Sequence, residues 1–308
     1  MNMEEPTVIS AKTRRRTLAA GAALLVSTLG LTACGEKESD DTTPQTGAAP
    51  AVTADAALAA KVPDDIKADG VIKIGVDSSY APNEYLDTDG KTVVGWDVEL
   101  FDAVAAKLGL KTEWVTSNFD DIVPGVTASG KYETGVSSFT INPERLKQAT
   151  MVSYFNAGTQ WFAKTGSTID PDDACGKKIA VQKATVQVED IEKRSKACTD
   201  AGKPAIQISQ YQGQDQATSA VVSGKEEASL ADSPIAAYAV KKATGLALLG
   251  EIYDAAPYGY VVKKDSPLGQ VYADAVKAII ADGTYTQILQ KWGVEAGGIT
   301  DPTVDPAS

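Results

Sequence analysis

The side chains in this 308-residue chain that could do chemistry are carboxylates, lysines and arginines, and three cysteines; histidine is absent. That absence removes every Ser-His-Asp or Cys-His nucleophile, every histidine metal site and any imidazole pH switch. Three cysteines cannot complete a Cys₄ zinc site. Three other patterns invite a catalytic reading and do not sustain it. Gly125-Val126-Thr127-Ala128-Ser129-Gly130-Lys131 matches most of a phosphate loop. Tyr132 stands where magnesium needs a hydroxyl, and the segment ends a helix before a strand rather than the reverse. The doublets Asp64-Asp65, Asp120-Asp121 and Asp172-Asp173 adjoin turns or helix starts, where aspartate caps backbone N–H groups. Trp161, Phe162 and the other tryptophans are too dispersed to stack nucleobases.

Charge narrows the partners further. Lys and Arg total 29 against 41 Asp and Glu, a net −12, which disfavours nucleic acid because phosphate binding rests on clustered basic residues. With 43% hydrophobic residues the chain can fill one large or two medium cores. These sums favour a ligand-binding protein with no cofactor and no metal.

The three cysteines divide into one and two. Lys12, Arg14, Arg15 and Arg16 precede an apolar run from Leu18 to Ala33, too short for a spanning helix and suited to a signal peptide. It ends Leu31-Thr32-Ala33-Cys34-Gly35, which resembles a bacterial lipobox and implies a lipid on Cys34 after removal of residues 1–33. Thr13 to Leu18 also resembles a twin-arginine signal, so the export route stays open between two systems. The removed segment carries four basic and two acidic residues, so the mature chain stands at −14. Residues 34–61 hold almost nothing large and apolar and are expected to form a disordered tether. Export places Cys175 and Cys198 in an oxidising compartment, where an isolated pair bonds, closing a loop worth about 3 kcal/mol.

The elements behind these residues alternate. Val71–Val76 reads as a strand. Trp96, Leu100, Val104 and Leu108 form a helical stripe with Asp97 as the expected N-cap, closed by Gly109. A strand at Trp114, a helix from Asp120 to Ala128 and a strand from Tyr132 to Phe139 follow. The alternation resumes with a strand at 177–182, a helix at 185–197, a strand at 205–211, a helix at 214–223, a strand at 228–231 and a helix at 234–244. An apolar run at 246–249 and a strand at 258–263 lead to helices at 267–281 and 284–292. Such alternation predicts α/β architecture with mostly parallel sheets. The pattern divides into two lobes, 62–162 plus 255–295 and 163–254, joined by two crossings, with a tail at 296–308.

Several segments together resemble one family. Ile74 to Tyr85, Val94-Gly95-Trp96-Asp97-Val98, Asp121-Ile122-Val123-Pro124 and Ser137 to Arg145 are similar to the polar amino-acid-binding proteins of bacterial ABC importers. So are Gly176 to Val181, Tyr211 to Asp215, Ala231 to Pro234, Ala281 to Tyr285 and Lys291-Trp292-Gly293. The resemblance spans about residues 70 to 293 and implies a periplasmic-binding-protein-like fold. It further implies a monomer that captures an amino acid between its lobes and hands it to ABC permease subunits. The protein would be held at the outer face of the cell membrane by the lipid on Cys34.

By this resemblance Arg145 grips the α-carboxylate, Ser138 and Thr140 offer backbone and hydroxyl partners, and Asp232 balances the α-ammonium. Thr185 opens a helix whose first N–H groups, through Gln187, suit a carboxylate. Asp77, Tyr80 and Phe119 match the side-chain pocket, and Asp77 implies a ligand with hydrogen-bond donors on its side chain. The chain departs from the pattern in two places: Asn83 replaces a usual phenylalanine, and Ala184-Thr185-Val186 replaces Gly-Thr-Thr. The competing readings are a cyclohexadienyl-dehydratase-like lyase using Glu84 or Asp77 as acid, and a sensory ligand-binding protein.

Overall fold

The chain begins to pack earlier than its composition suggests. In the computed structural model, which describes residues 52–307, helix α1 (Ala56–Ala59) is capped by Asp55, whose carboxylate accepts from the N–H groups of Ala57 and Leu58. Val52 and Leu58 lie on the main core, and the Asp55 N–H donates to the Lys107 carbonyl at 2.9 Å. The expected tether through Lys61 is therefore shortened at its end, because one cap and two apolar side chains suffice to seat this stretch. The leader 1–33, Cys34 and the tether up to residue 51 lie outside the described residues.

Helix α2 (Asp64–Asp69) turns at Gly70 into β1 (Val71–Val76). Strands β2 (Ser79–Tyr80), β3 (Glu84–Leu86) and β4 (Val93–Val94) make a small antiparallel sheet where the sequence promised mainly turns. Then come α3 (Trp96–Lys107), β5 (Lys111–Thr116), α4 (Phe119–Thr127), β6 (Thr134–Gly135) and α5 (Pro143–Gln148). The third predicted strand shrinks to two residues, leaving Val136 to Asn142 largely as loop, so that Ser137 and Ser138 sit in a turn instead of a ladder.

Two long strands cross the molecule. The first, β7 (Ala149–Lys164), leads into β8 (Lys178–Gln182), α6 (Val186–Asp200), β9 (Gln207–Tyr211), α7 (Gln214–Ser223), β10 (Ala228–Asp232) and α8 (Ser233–Lys242). The second, β11 (Leu246–Lys263), returns to α9 (Leu268–Ala281) and α10 (Thr284–Trp292). One eight-stranded sheet results, in the order β5-β1-β6-β11-β7-β10-β8-β9. The β1–β5, β1–β6, β8–β9 and β8–β10 pairs are parallel, while β7 and β11 run antiparallel from Ala149↔Lys263 to Lys164↔Leu246. Register shifts interrupt that long pair between Leu249 and Tyr253, between Tyr253 and Ala256, and between Tyr258 and Gly259. Two α/β lobes joined by two crossings are thus observed as expected, and the closing helices α9 and α10 pack on the first lobe.

Each half of the sheet is covered on both faces. In the first lobe α3, α9 and α10 bury Trp96, Phe101, Tyr154, Tyr260 and Tyr272, with Tyr154 and Tyr260 stacked at 3.9 Å. The opposite face packs Phe119, Ile122, Phe139 and Val261. In the second lobe Trp161, Val181, Ile191 and Leu230 fill one side, and Phe162, Val221, Ala231 and Ile235 the other. Fully burying a side chain of this size contributes about 1.5–3 kcal/mol, so these four clusters are what hold the lobes as units. The Cys175–Cys198 bond pins the start of the second lobe to α6.

Asp97 is not the N-cap of α3. Gly95 holds that position with φ +144°, and a Cβ there would lie 1.9 Å from the Asn83 carbonyl oxygen. Only glycine permits this close approach. The Trp96 and Asp97 N–H groups thereby reach the carbonyls of Pro82 and Asn83, so the backbone is satisfied without a capping side chain. Asp97 is left free to turn inward.

Candidate functional site

The cleft lies where the two halves of the sheet meet, and its groups come from strand ends, helix starts and the loops between them, with Tyr258 from within β11. Asp232 ends β10 and starts α8, yet its side chain makes no cap. It is buried, and three neutral donors reach it: Tyr258 at 2.7 Å, Tyr80 at 2.8 Å and the Gln187 amide at 2.8 Å. Burial pushes its carboxyl up, against the pull of these donors and of the nearby Arg145 charge. Tyr80 belongs to the first lobe, so its bond to Asp232 spans the cleft. Burial and the Asp232 charge push the Tyr80 and Tyr258 hydroxyls well above the ordinary phenol range, so both remain donors.

Arg145 reaches the same space from α5, whose first turn is fixed by Pro143 and by the Asn142 side chain accepting from the Arg145 N–H. Its guanidinium donates to the Thr140 carbonyl at 2.7 Å and, across the cleft, to the Ala184 carbonyl at 3.2 Å. It rests 5.4 Å from the ring centroids of both Phe119 and Phe139, which stack on each other. Burial lowers its pKa to about 10, so it stays charged at neutral pH. Among the described residues it forms no ion pair. A guanidinium has five N–H donors, and two are used here.

Thr185 is the N-cap residue of α6, but its hydroxyl donates to the Gln182 carbonyl instead of capping, which leaves the helix's first N–H groups available. Gln187, expected to offer a backbone N–H, also buries its amide between Thr159 and Asp232. Ala184 just before holds φ +61°, the left-handed turn that aims this segment into the cleft.

Asp77 directly follows β1 and is buried. Its carboxylate accepts from the N–H groups of Ser79 at 3.0 Å and Phe119 at 3.1 Å, and from the Gln182 amide of the other lobe at 2.8 Å. Burial raises its carboxyl, although those bonds oppose the shift. Beside it opens a cavity of about 540 Å³ bordered by Asp77, Asp121, Asp215, Gln212, Thr116 and Lys131. Negative charge dominates that border.

The predicted residues do not all face the cleft as expected. Tyr80, Arg145, Thr185, Gln187 and Asp232 converge, with the Thr140 carbonyl behind Arg145 and Asp77 and Phe119 beside them. Ser138 is the exception. Its hydroxyl accepts from Asn83 at 2.8 Å and donates to Glu84 at 3.0 Å, so that hydroxyl is engaged within the first lobe, and its backbone stands at φ +52°. Sequence reading missed Tyr258, Gln182 and the bridge of Asp120 to Lys183 and Gln212 at 2.5 and 3.0 Å. Tyr258 and Gln182 sit at strand positions that read as ordinary sheet. Asp120 looked like a helix-start aspartate, and a lobe-to-lobe contact leaves no local pattern.

The chain is similar to known amino-acid-binding proteins. The arginine-binding protein ArgT of Corynebacterium glutamicum is 34% identical over 252 residues, covering 80% of this chain and 82% of its own. An ancestral arginine-binding protein bound to arginine superposes with a TM-score of 0.66 at 32% identity, covering 72% of this chain and 98% of that one. An ancestral amino acid-binding protein, a precursor of cyclohexadienyl dehydratase, gives 0.65 at 30% identity over 74% of this chain and 98% of its own. No helix among the described residues is long and apolar enough to cross a membrane. The family model for bacterial extracellular solute-binding proteins, family 3, matches residues 72–295, nearly all of both lobes, and the chain belongs to that family.

Proposed function

We propose that this solute-binding component of an ABC importer takes an L-amino acid with a cationic side chain, arginine first among them, and closes its lobes around it. One observation carries the reading. Among the described residues, a guanidinium lacking a carboxylate (Arg145) and a carboxylate lacking a cation (Asp232) meet in one cleft. That is the charge complement of an α-amino acid, whose carboxylate suits Arg145 and the α6 N-terminus and whose ammonium suits Asp232. Asp77 and the acidic cavity beside it then favour a guanidinium or ammonium side chain over a carboxylate, and the arginine-bound relative points the same way. Phe119 supplies a flat apolar wall for the aliphatic stem.

The test is a thermal-shift screen of the purified full chain against the standard amino acids. L-arginine is expected to give the largest rise in Tm, by mass action on the folded state. A largest rise with glutamate or aspartate would overturn the side-chain reading, and no rise with any amino acid would overturn the function.

The protein performs no reaction in this reading. Glu84, the acid a dehydratase-like rival needs, is fully buried and engaged by Ser137 and Ser138, which suits structure better than proton transfer to a ligand. Loss of absorbance from a cyclohexadienyl acid mixed with the protein would reverse that. The chain is a monomer tethered through a lipid on Cys34 at the outer face of the cell membrane. Cys34→Ser is expected to move it from the membrane fraction to the soluble fraction.

A further inference from the structure

Beneath the cleft lies a pair of acids that ligand binding as described above does not use. Glu84 of β3 and Asp97 of α3 are both 0% exposed, and their side chains lie within hydrogen-bond reach of each other. Three hydroxyls donate to them. Ser138 donates to one Glu84 oxygen at 3.0 Å and Ser137 to the other at 3.4 Å, while Tyr154 donates to Asp97 Oδ2 at 2.6 Å. Asp97 Oδ1 is buried without a hydrogen-bond partner.

Two buried carboxylates cannot both carry charge at such a separation, and an orphaned carboxylate oxygen beside a second carboxyl is where a shared proton belongs. The titratable groups facing the pair are Asp77 just after β1, Tyr80 of β2, Tyr154 of β7, and Tyr258 and Tyr260 of β11. None of these can supply a positive charge. Burial pushes both carboxyls upward; the Asp97 charge raises Glu84 further, while the hydrogen bond with Glu84 opposes the rise at Asp97.

The pair also has a route to the cleft. Ser137 Oγ accepts from the Asp77 N–H at 3.0 Å while donating to Glu84. Ser138 is held on its other side by Asn83, which in turn accepts from the Trp96 indole at 2.6 Å. We propose that Glu84 is a positioning residue for the amino-acid cleft: Glu84 and Asp97 hold one shared proton, and through the hydroxyls of Ser137 and Ser138 this acid pair fixes the turn that presents backbone groups beside Asp77 and Arg145. The role in binding rests on the cleft reading above; the proton does not.

The folded chain therefore carries more protons than the unfolded one above the ordinary carboxylate range, and stability falls as pH rises through the pair's titration. Infrared spectra of the full chain without ligand are expected to show a protonated-carboxyl C=O stretch at neutral pH that Glu84→Gln removes. Its absence from the wild type would overturn the proposal. Calorimetric titration with L-arginine between neutral and alkaline pH gives the second readout. Glu84→Ala is expected to weaken binding about tenfold by leaving the serine hydroxyls unpaired, and Glu84→Gln to recover most of that loss. Glu84→Gln should also flatten the part of the alkaline decline that does not come from the ligand's own ammonium. Equal pH profiles in wild type and Glu84→Gln, or a folded Glu84→Ala that binds as tightly as wild type, would overturn it. Should Glu84→Ala fail to fold, Asp97→Asn serves in the same titration and is held to the same comparison. If arginine does not bind the wild type at all, the cleft reading fails while the infrared band still decides the proton.

Discussion

Arg145 and Asp232 carry opposite unpaired charges, so their replacement should be costly for binding and mild for folding. Truncating one member of a hydrogen-bonded charge contact costs about 2–5 kcal/mol, so Arg145→Ala should weaken arginine binding by about thirty-fold or more. Calorimetry reads the affinity, and denaturant unfolding without ligand checks that stability moves little. Asp77 separates ligands. Asp77→Asn removes the charge a cationic side chain needs while keeping an acceptor, so affinity for arginine should fall more than affinity for glutamine in a competition assay. Arg145 and Asp232 could be singled out in the sequence because arginine and aspartate at those places match a family pattern, although position alone would have made Arg145 a surface arginine and Asp232 a cap. The inward turn of Ser138 was not legible. It depends on Asn83 and Glu84, which approach from a separate small sheet.

At the scale of elements, periodicity located most helices to within a residue or two: α7 and α10 match their expected bounds. The failures share a cause. The segment from Tyr132 to Phe139 is apolar enough to be a strand, but only Thr134 and Gly135 find ladder partners, between β1 and β11. Asp97 reads as a cap because its type fits, yet Gly95 brings α3 so close to the Pro82 and Asn83 carbonyls that none is needed. In both, the deciding partner is remote in sequence. The Cys175–Cys198 bond was legible from compartment and count, and it closes a loop spanning a sequence separation of 23. Replacing both cysteines by serine should lower stability by about 3 kcal/mol on the chain-entropy account. For a chain of this size that is a fall in Tm of roughly 6–12 °C, measured by calorimetry under oxidising conditions. No change would mean that the unfolded chain is already restricted there.

Across the whole molecule, small polar contacts join the lobes beside Tyr80 of the first lobe, which also packs among Phe162, Ala231 and Ile235 of the second. Tyr80 meets Asp232, Gln182 meets Asp77, Ser79 accepts from the Gln214 N–H at 3.1 Å, and Asp120 holds both Lys183 and Gln212. Each such contact is weak; an ion pair as exposed as Asp120–Lys183 adds little, because solvent screens it. A closed state resting on a handful of them is readily reopened, and a ligand that bonds both lobes tips the balance by its differential affinity for that state. Two consequences follow for one variant. Asp120→Ala touches no ligand group, so any loss of affinity reports the closing equilibrium, and the expected loss is at most about fivefold. It should also appear mainly as faster ligand release, because the contacts are made after the first lobe is engaged. Stopped-flow displacement of bound arginine reads the release rate directly. An unchanged release rate with slower uptake would instead place these contacts in the encounter, and the lobes would then be closed before the ligand arrives.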